Sequence, residues 1–307
     1  MTTRTEDEIN EDYVSWKTDV NLGFSRVTRL PRLRCNPKSD VEIHSLTCSR
    51  QKDEYLLAIK SFLRFYENIA VVVHDDGSLS GDDKDEIEHH IDGIRIISKD
   101  TADSIVNPLL EGKTASKEYR DGFVNSRQLF DFALLSQGEK IISFDSDILV
   151  LRRPSEVIRW IKNPLSTVMC SHETSPHEKN KAEMNIGFCA YPKNFIDLDL
   201  IEKQLPETWP LDWFTGQNTF SNLLLYSGWS YDFFSKDKHQ CPHSFGLRGD
   251  PDVRHYWDTT WLFGYGSAQF NDVQKVSKEL EAEWLLLHGN HIRDPRDPDR
   301  LIIKKGR

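Results

Sequence analysis

Short apolar runs alternate with amphipathic stretches along the first half of the chain. VEIHSLTC (41–48) is β-rich and reads as a strand. DEYLLAIKSFLRFY (53–66) follows, with Leu56, Leu57, Ile59, Phe62, Leu63 and Tyr66 at helical spacing. NIAVVVHDDGSL (68–79) is an apolar strand running into a polar turn, and GDDKDEIEHHI (81–91) predicts a short exposed helix with its acids in the first turn, where the helix dipole favours them. IRIIS (94–98) is the next strand, one long helix is predicted over 117–137 up to Gly138, and a further strand over 140–145. The second half is more mixed: strands at TVMC (167–170) and GFCAY (187–191), helices near 194–204 and 216–226, and a last strand, EWLLLH, ending at His288.

Runs such as AVVV and KIIS lack polar alternation, which marks strands covered on both faces, as in a parallel sheet between helices. The expectation is therefore an α/β chain with a mostly parallel sheet flanked by helices, in a single domain at 41–290. Residues 1–40 lack periodicity, carry Pro31 and Pro37 and read as an N-terminal extension; 291–307 is a charged, proline-punctuated tail. Ligands of such sheets bind beyond the carboxyl ends of the strands. His74, Asp75, Asp76, Asp145 and Asp147 all fall at such ends.

Charge narrows the chemistry. The 307 residues carry a net charge of -10, so no basic stripe exists for a nucleic-acid backbone. No window reaches the length of a membrane span. The acidic start, MTTRTEDEINEDY, has neither a signal nor a transit pattern. Five scattered cysteines without a CxxC pair read as reduced thiols, and together these features predict a cytoplasmic protein. An acidic chain that handles an anion must gather local cations, as arginines or as a metal.

The stretch EKIISFDSDILVLRRP (139–154) supplies a place for one. A buried strand ends at Asp145 and Asp147, two carboxylates that repel unless a cation lies between them. Their spacing lets a tight turn aim both at one ion, and the hard cations Mg²⁺ and Mn²⁺ suit oxygen ligands with a substrate diphosphate filling the shell. A solvated strand-end turn is the competing reading of the motif alone.

The order of motifs adds context. HSLTCSR (44–50), the HDDGS turn, a helix carrying Arg127, the D-S-D turn, MNIGFCAYP (184–192) and WFTGQNTFSNLL (213–224) together resemble the nucleotide-sugar glycosyltransferases of the GT-A fold. The similarity is to the branch of glycogenin and the bacterial lipopolysaccharide galactosyltransferases. It implies a Rossmann-like GT-A sheet and metal-dependent transfer of a sugar, a hexosyl group, from a nucleotide-diphosphate donor to a carbohydrate, glycan or lipid-linked hydroxyl. It implies donor contacts at Thr47, Arg50, Asp76 and Arg127 and at Asp145 and Ser146, with Asn185, Gln217 and Asp212 as the catalytic candidates. Plainer roles compete: Arg127 can pair with Asp131 one helical turn on, the D-G step can be an ordinary turn, and Gln217 can be a helix-start residue. An inverting reaction would need a carboxylate base, Asp212 or Glu183; a retaining one would use Gln217 and the donor's own phosphate.

The family's histidine ligand sits in an H-x-x-G-x-x-K-P-W segment, and no clean copy exists here. His288, directly after an apolar strand, is the favoured third ligand to Mn²⁺ or Mg²⁺; His255, before an aromatic pair, is the second choice, and His291 a substitute. Trp213, Trp257 and Trp261 can stack on sugars or fill the core, and SHETSPHEKNKAEM (171–184) is placed for a lid. Two rival functions are a phosphohydrolase of the haloacid dehalogenase type, which also ends a strand in D-x-D, and a non-catalytic carbohydrate-binding protein on the same scaffold.

Overall fold

The apolar runs that lack alternation become the middle of a sheet. The computed structural model describes residues 30–163, 167–172, 184–208, 211–212, 214–240, 251–256, 272–280, 291–294 and 297–303. The described chain opens with β1 (Leu33–Arg34), β2 (Val41–Thr47) and α1 (Lys52–Leu63). Then come β3 (Ala70–Asp75), α2 (Gly81–His90), β4 (Ile91–Asp92) and β5 (Arg95–Ile97). Three helices, α3 (Lys99–Leu109), α4 (Thr114–Gly122) and α5 (Ser126–Leu135), lead to β6 (Lys140–Phe144) and β7 (Ile148–Val150). The second half holds α6 (Ser155–Lys162), β8 (Val168–His172), β9 (Met184–Pro192), α7 (Leu198–Gln204) and α8 (Thr215–Tyr226). β10 (Tyr231–Phe233), β11 (His239–Gln240), β12 (Val253–His255) and a helix α9 at 272–280 follow, and β13 (His291–Asp294) with β14 (Asp297–Ile303) makes a hairpin of the expected tail.

Seven strands form the main sheet in the order β10-β8-β9-β6-β2-β3-β5. β6, β2, β3 and β5 run parallel, whereas β9 lies antiparallel to both β6 and β8. The mostly parallel α/β architecture expected from the hydrophobic pattern is therefore present, with one reversed strand at the second half of the sheet. One face packs on α1 and on a small sheet ordered β11-β12-β7; the other packs on α3, α4, α5, α7 and α8.

Several elements differ from the sequence reading. The long helix over 117–137 is two helices, because the chain ends α4 at Gly122, extends at Phe123 and restarts at Ser126. The break lets Arg120 fold back onto Asp131, with Nε and Nη2 bonds of 2.7 and 2.9 Å. α3 went unforeseen because it buries only Ala102 and Val106 and carries Pro108 near its end. The N-terminal extension is not wholly separate: buried Lys60 of α1 donates to the Leu30 and Pro31 carbonyls, at 3.2 and 2.8 Å, and lies 2.8 Å from His90 Nδ1. The exposed helix α2 has the expected acids, Asp82 and Asp83, in its first turn, and starts with a capping box between Ser80 and Asp83. Among the described residues, no helix is long and apolar enough to cross a membrane, and the described cysteines are free thiols. EWLLLH lies outside the described residues.

Candidate functional site

β6 stops at Phe144, and the chain turns at once. The Asp145 N–H donates to the Gly187 carbonyl of β9 at 2.9 Å, and the Ile148 N–H closes the turn on the Asp145 carbonyl at 3.3 Å. β7 then runs antiparallel to β12, with Ile148 opposite His255, and the Tyr256 N–H donates to the Asp147 carbonyl at 2.9 Å. This pairing delivers His255 to the aspartates from a point more than a hundred residues downstream. His255 Nε2 lies 2.9 Å from Asp147 Oδ1 and 3.7 Å from Asp145 Oδ2.

The three side chains offer ligand atoms within 4.8 Å of one another. Asp147 Oδ1 is buried and has no hydrogen-bond partner among the described residues, with His255 Nε2 2.9 Å away. A buried carboxylate oxygen that makes no hydrogen bond and faces an imidazole nitrogen calls for a cation, either the protonated ring itself or a metal ion shared between the two. Two carboxylates and one imidazole nitrogen gathered at the end of β6 fit a divalent ion that keeps its remaining positions for a substrate. The residues present thus suit Mn²⁺ or Mg²⁺.

Gly187 makes room for this cluster. A Cβ there would stand 2.1 Å from Asp145 Oδ2 and 2.8 Å from His255 Cε1, so any side chain would displace both. The glycine in the N-x-G strand therefore serves the aspartate and histidine directly. Asn185 holds it in place, its Oδ1 accepting the Gly187 N–H at 2.7 Å. From α5, Gln128 donates its amide N–H to Asp145 Oδ1 at 2.5 Å. Burial pushes the Asp145 carboxyl up to about 6; His255 works against that rise, and the Asp147 charge adds to it.

The other candidates lie around this edge with varied local duties. Thr47 is buried at the end of β2 with an unpartnered hydroxyl, and Arg50 is exposed in the turn beyond it. Asp76 accepts from Ser78 N–H and Oγ at 2.9 and 2.6 Å, whereas Asp75 is buried against Gly77 N–H, Leu79 N–H and Lys84. Those bonds outweigh burial and hold the Asp75 carboxyl below its usual range. His74 does not reach the edge freely: its Nε2 lies 2.8 Å from His44 Nδ1, and His44 Nε2 lies 2.9 Å from Glu42. Ser146 is buried between the two aspartates.

Arg127 is engaged by carboxylates of its own helix and of α3. It donates to Asp131 at 3.2 Å and Asp103 at 3.1 Å, and Arg120 binds the same two carboxylates. Asp212 accepts the Phe214 N–H at 2.9 Å and so starts α8; its own N–H donates to Thr215 Oγ1 at 2.8 Å. Gln217, in the first turn of α8, is buried, and no described residue hydrogen-bonds its amide. Next to it, Gly216 has space for no Cβ without touching Tyr119 Oη at 3.0 Å and Ile186 Cδ1 at 3.3 Å, which docks this turn beside β9. Among the described residues, His255 is the histidine brought to the aspartates. His288, Glu183, Trp213, Trp257, Trp261 and most of 171–184 lie outside the described residues.

Gln128 was not singled out from sequence, and nothing local could have done so. It became visible only once α5 was placed over the end of β6.

No protein-family model and no curated protein matches the chain. Solved structures do. It is similar to mouse xyloside xylosyltransferase 1, with a TM-score of 0.52 and 11% identity over 75% of this chain and 99% of that one. The galactosyltransferase LgtC, in complex with donor and acceptor sugar analogues, gives 0.51 and 15% over 79% and 98%. GlyE of Streptococcus pneumoniae gives 0.53 and 11% over 82% of this chain and 64% of its own. These neighbours are GT-A glycosyltransferases, and the chain shares their fold.

Proposed function

We propose that the chain is a divalent-metal-dependent glycosyltransferase, moving a sugar from a nucleotide-diphosphate donor to an acceptor hydroxyl. The observation that carries this reading is the Asp145–Asp147–His255 cluster at the carboxyl edge of a GT-A sheet. A divalent ion held there supplies Lewis-acid stabilisation of the charge that develops on the leaving diphosphate. It also answers the charge problem, since a chain of net charge -10 needs a local cation to hold a polyanion. The imidazole nitrogen favours Mn²⁺ over Mg²⁺, which prefers an all-oxygen shell.

The chain's own groups divide the remaining work. Thr47, with its unpartnered hydroxyl, and Arg50 and Asp76 at the neighbouring strand ends are placed for the nucleoside. Asn185 fixes Gly187 and thereby the reach of Asp145. Gln217 presents an uncommitted amide beside β9, suited to a sugar hydroxyl or to the departing oxygen. Asp212 acts by setting the first turn of α8 and so the position of Gln217. Arg127 keeps the α4–α5 unit together and lends positive charge to the edge. The catalytic unit is taken as residues 41–290, working in the cytoplasm on a carbohydrate, glycan or lipid-linked acceptor.

The test is turnover. With Mn²⁺, a panel of sugar nucleotides should yield free nucleoside diphosphate from one donor, and that donor should raise the melting temperature only when the metal is present. Asp147→Asn should cut this turnover by several orders of magnitude with the fold intact. Release of inorganic phosphate from a monoester would instead support a phosphohydrolase, and donor binding with no turnover for any acceptor would support a carbohydrate-binding role.

A further inference from the structure

The third ligand is held from behind. Along β12, successive side chains alternate in direction, so Arg254 and Tyr256 point away from the face that His255 presents to the aspartates. Both meet one carboxylate, that of Asp272 at the start of α9: Arg254 Nη1 and Tyr256 Oη each contact Asp272 Oδ2. Arg254 and Tyr256 are buried, at 5% and 2% exposure, so the cluster lies in the protein interior. Seven residues on, Glu279 of the same helix takes Arg64 Nη1 at 2.8 Å, and Arg64 Nη2 reaches the Val150 carbonyl at 3.1 Å at the end of β7. α9 is thus tied both to the strand that carries His255 and to that strand's partner, β7.

We infer that Asp272 is a positioning residue for the metal site: by gripping Arg254 and Tyr256 on either side of His255, it fixes how far the imidazole reaches toward Asp145 and Asp147. The inference rests on the ion site proposed above. It has a physical basis in the chain's layout. Asp145 is anchored to β9 through Gly187, and the Asp147 carbonyl accepts the Tyr256 N–H, whereas His255 comes from a distant three-residue strand between β11 and β7. A strand that short needs a side-chain anchor to hold a ligand to within a fraction of an ångström. Outer groups that orient ligands characteristically change metal affinity by about 10–100-fold.

The experiment measures Mn²⁺ binding to the full chain by the electron paramagnetic resonance signal of the free ion, with thermal unfolding of the metal-free protein alongside. Asp272→Asn should weaken Mn²⁺ binding by about 10-fold, at the low end of that range. Tyr256→Phe, which removes one hydroxyl and keeps the buried ring, should weaken it by a smaller factor and guards against misfolding of the first variant. In a His255→Ala background, Asp272→Asn should have no further effect, because the imidazole through which it acts is gone. Unchanged Mn²⁺ affinity in both Asp272→Asn and Tyr256→Phe overturns the positioning role. So does an equal loss with and without His255, which would mean Asp272 acts through the fold at large. If the unaltered protein binds no Mn²⁺, both this role and the metal-dependent reading fall; if it binds Mn²⁺ but ignores Asp272, only this one does.

Discussion

Asp145 carries a cost that its neighbours only partly offset. Burial raises its carboxyl to about 6, His255 opposes the rise, and Asp147 reinforces it. A carboxyl whose folded pKa lies above its ordinary value holds its proton more tightly in the folded protein. Its contribution to stability is therefore full in acid, below the ordinary carboxylate range, and is lost as pH rises through about 6. At neutral pH the metal-free protein should thus gain from Asp145→Asn: a melting temperature higher by about 2–4 °C, the scale of 1 kcal/mol in a domain of this size. The gap should close as pH is lowered towards 4, and added Mn²⁺ should raise the melting temperature of the unaltered protein alone. A lower melting temperature for Asp145→Asn at neutral pH would show that the carboxylate stabilises the fold instead. Gln128 permits a second check at this scale. Its amide N–H favours the ionised form of Asp145, so Gln128→Met should let protons compete better with the metal. Calorimetric titration should find its Mn²⁺ affinity reduced more at pH 6 than at pH 8, a difference that a uniform structural defect would not produce.

At the scale of elements, α4 and α5 are held together by one buried charge network. Asp131 is fully buried and neutralises Arg120 through two bonds and Arg127 through a third. Removing its charge leaves two guanidinium groups sharing the more exposed Asp103. Breaking a buried pair in this way costs about 3–5 kcal/mol. Asp131→Asn should show that loss in chemical denaturation, while Mn²⁺ affinity stays near normal because the side-chain bonds of Asp131, Arg120 and Arg127 reach none of Asp145, Asp147 and His255. Half of this network was readable beforehand: Arg127 and Asp131 stand one turn apart on a single helix. The other half was not, since Arg120 appeared to lie on the same continuous helix, and only the break at Gly122 turns it back. The same distinction runs through the fold. β3 and β6 were legible because a doubly covered strand is apolar throughout, β2 from its β-rich composition, and α1 because it has an apolar stripe. α3 and α6 escaped notice, one for its sparse apolar face and the other for its eight-residue length. The aspartate pair was legible as a motif, and its histidine only as a second choice. A strand-end position favoured His288, which lies outside the described residues; the pairing of β12 with β7 brings up His255, and sequence spacing carries no record of such a long-range register.

For the whole molecule, the decisive quantity is the net charge of -10. A divalent cation is drawn to such a protein, and an anionic donor is repelled until the cation is in place. The two steps must therefore respond to salt in opposite directions. Screening between about 0.01 M and 0.15 M ionic strength shortens the electrostatic range from about 30 Å to about 8 Å. Mn²⁺ affinity should fall across that interval as the attraction of the acidic surface is lost. At saturating Mn²⁺, kcat/KM for the donor should rise, because the long-range repulsion that slows encounter is screened while the short-range contact with the ion is not. Steady-state rates at several salt concentrations, with the metal held well above its dissociation constant at each, distinguish this from the behaviour of a basic phosphate-binding cleft, for which kcat/KM falls steeply with salt. A fall here would mean that side-chain cations, with Arg50 the exposed candidate at the edge, capture the donor before the metal does, and would demote the ion from recruiting the substrate to acting on it once bound.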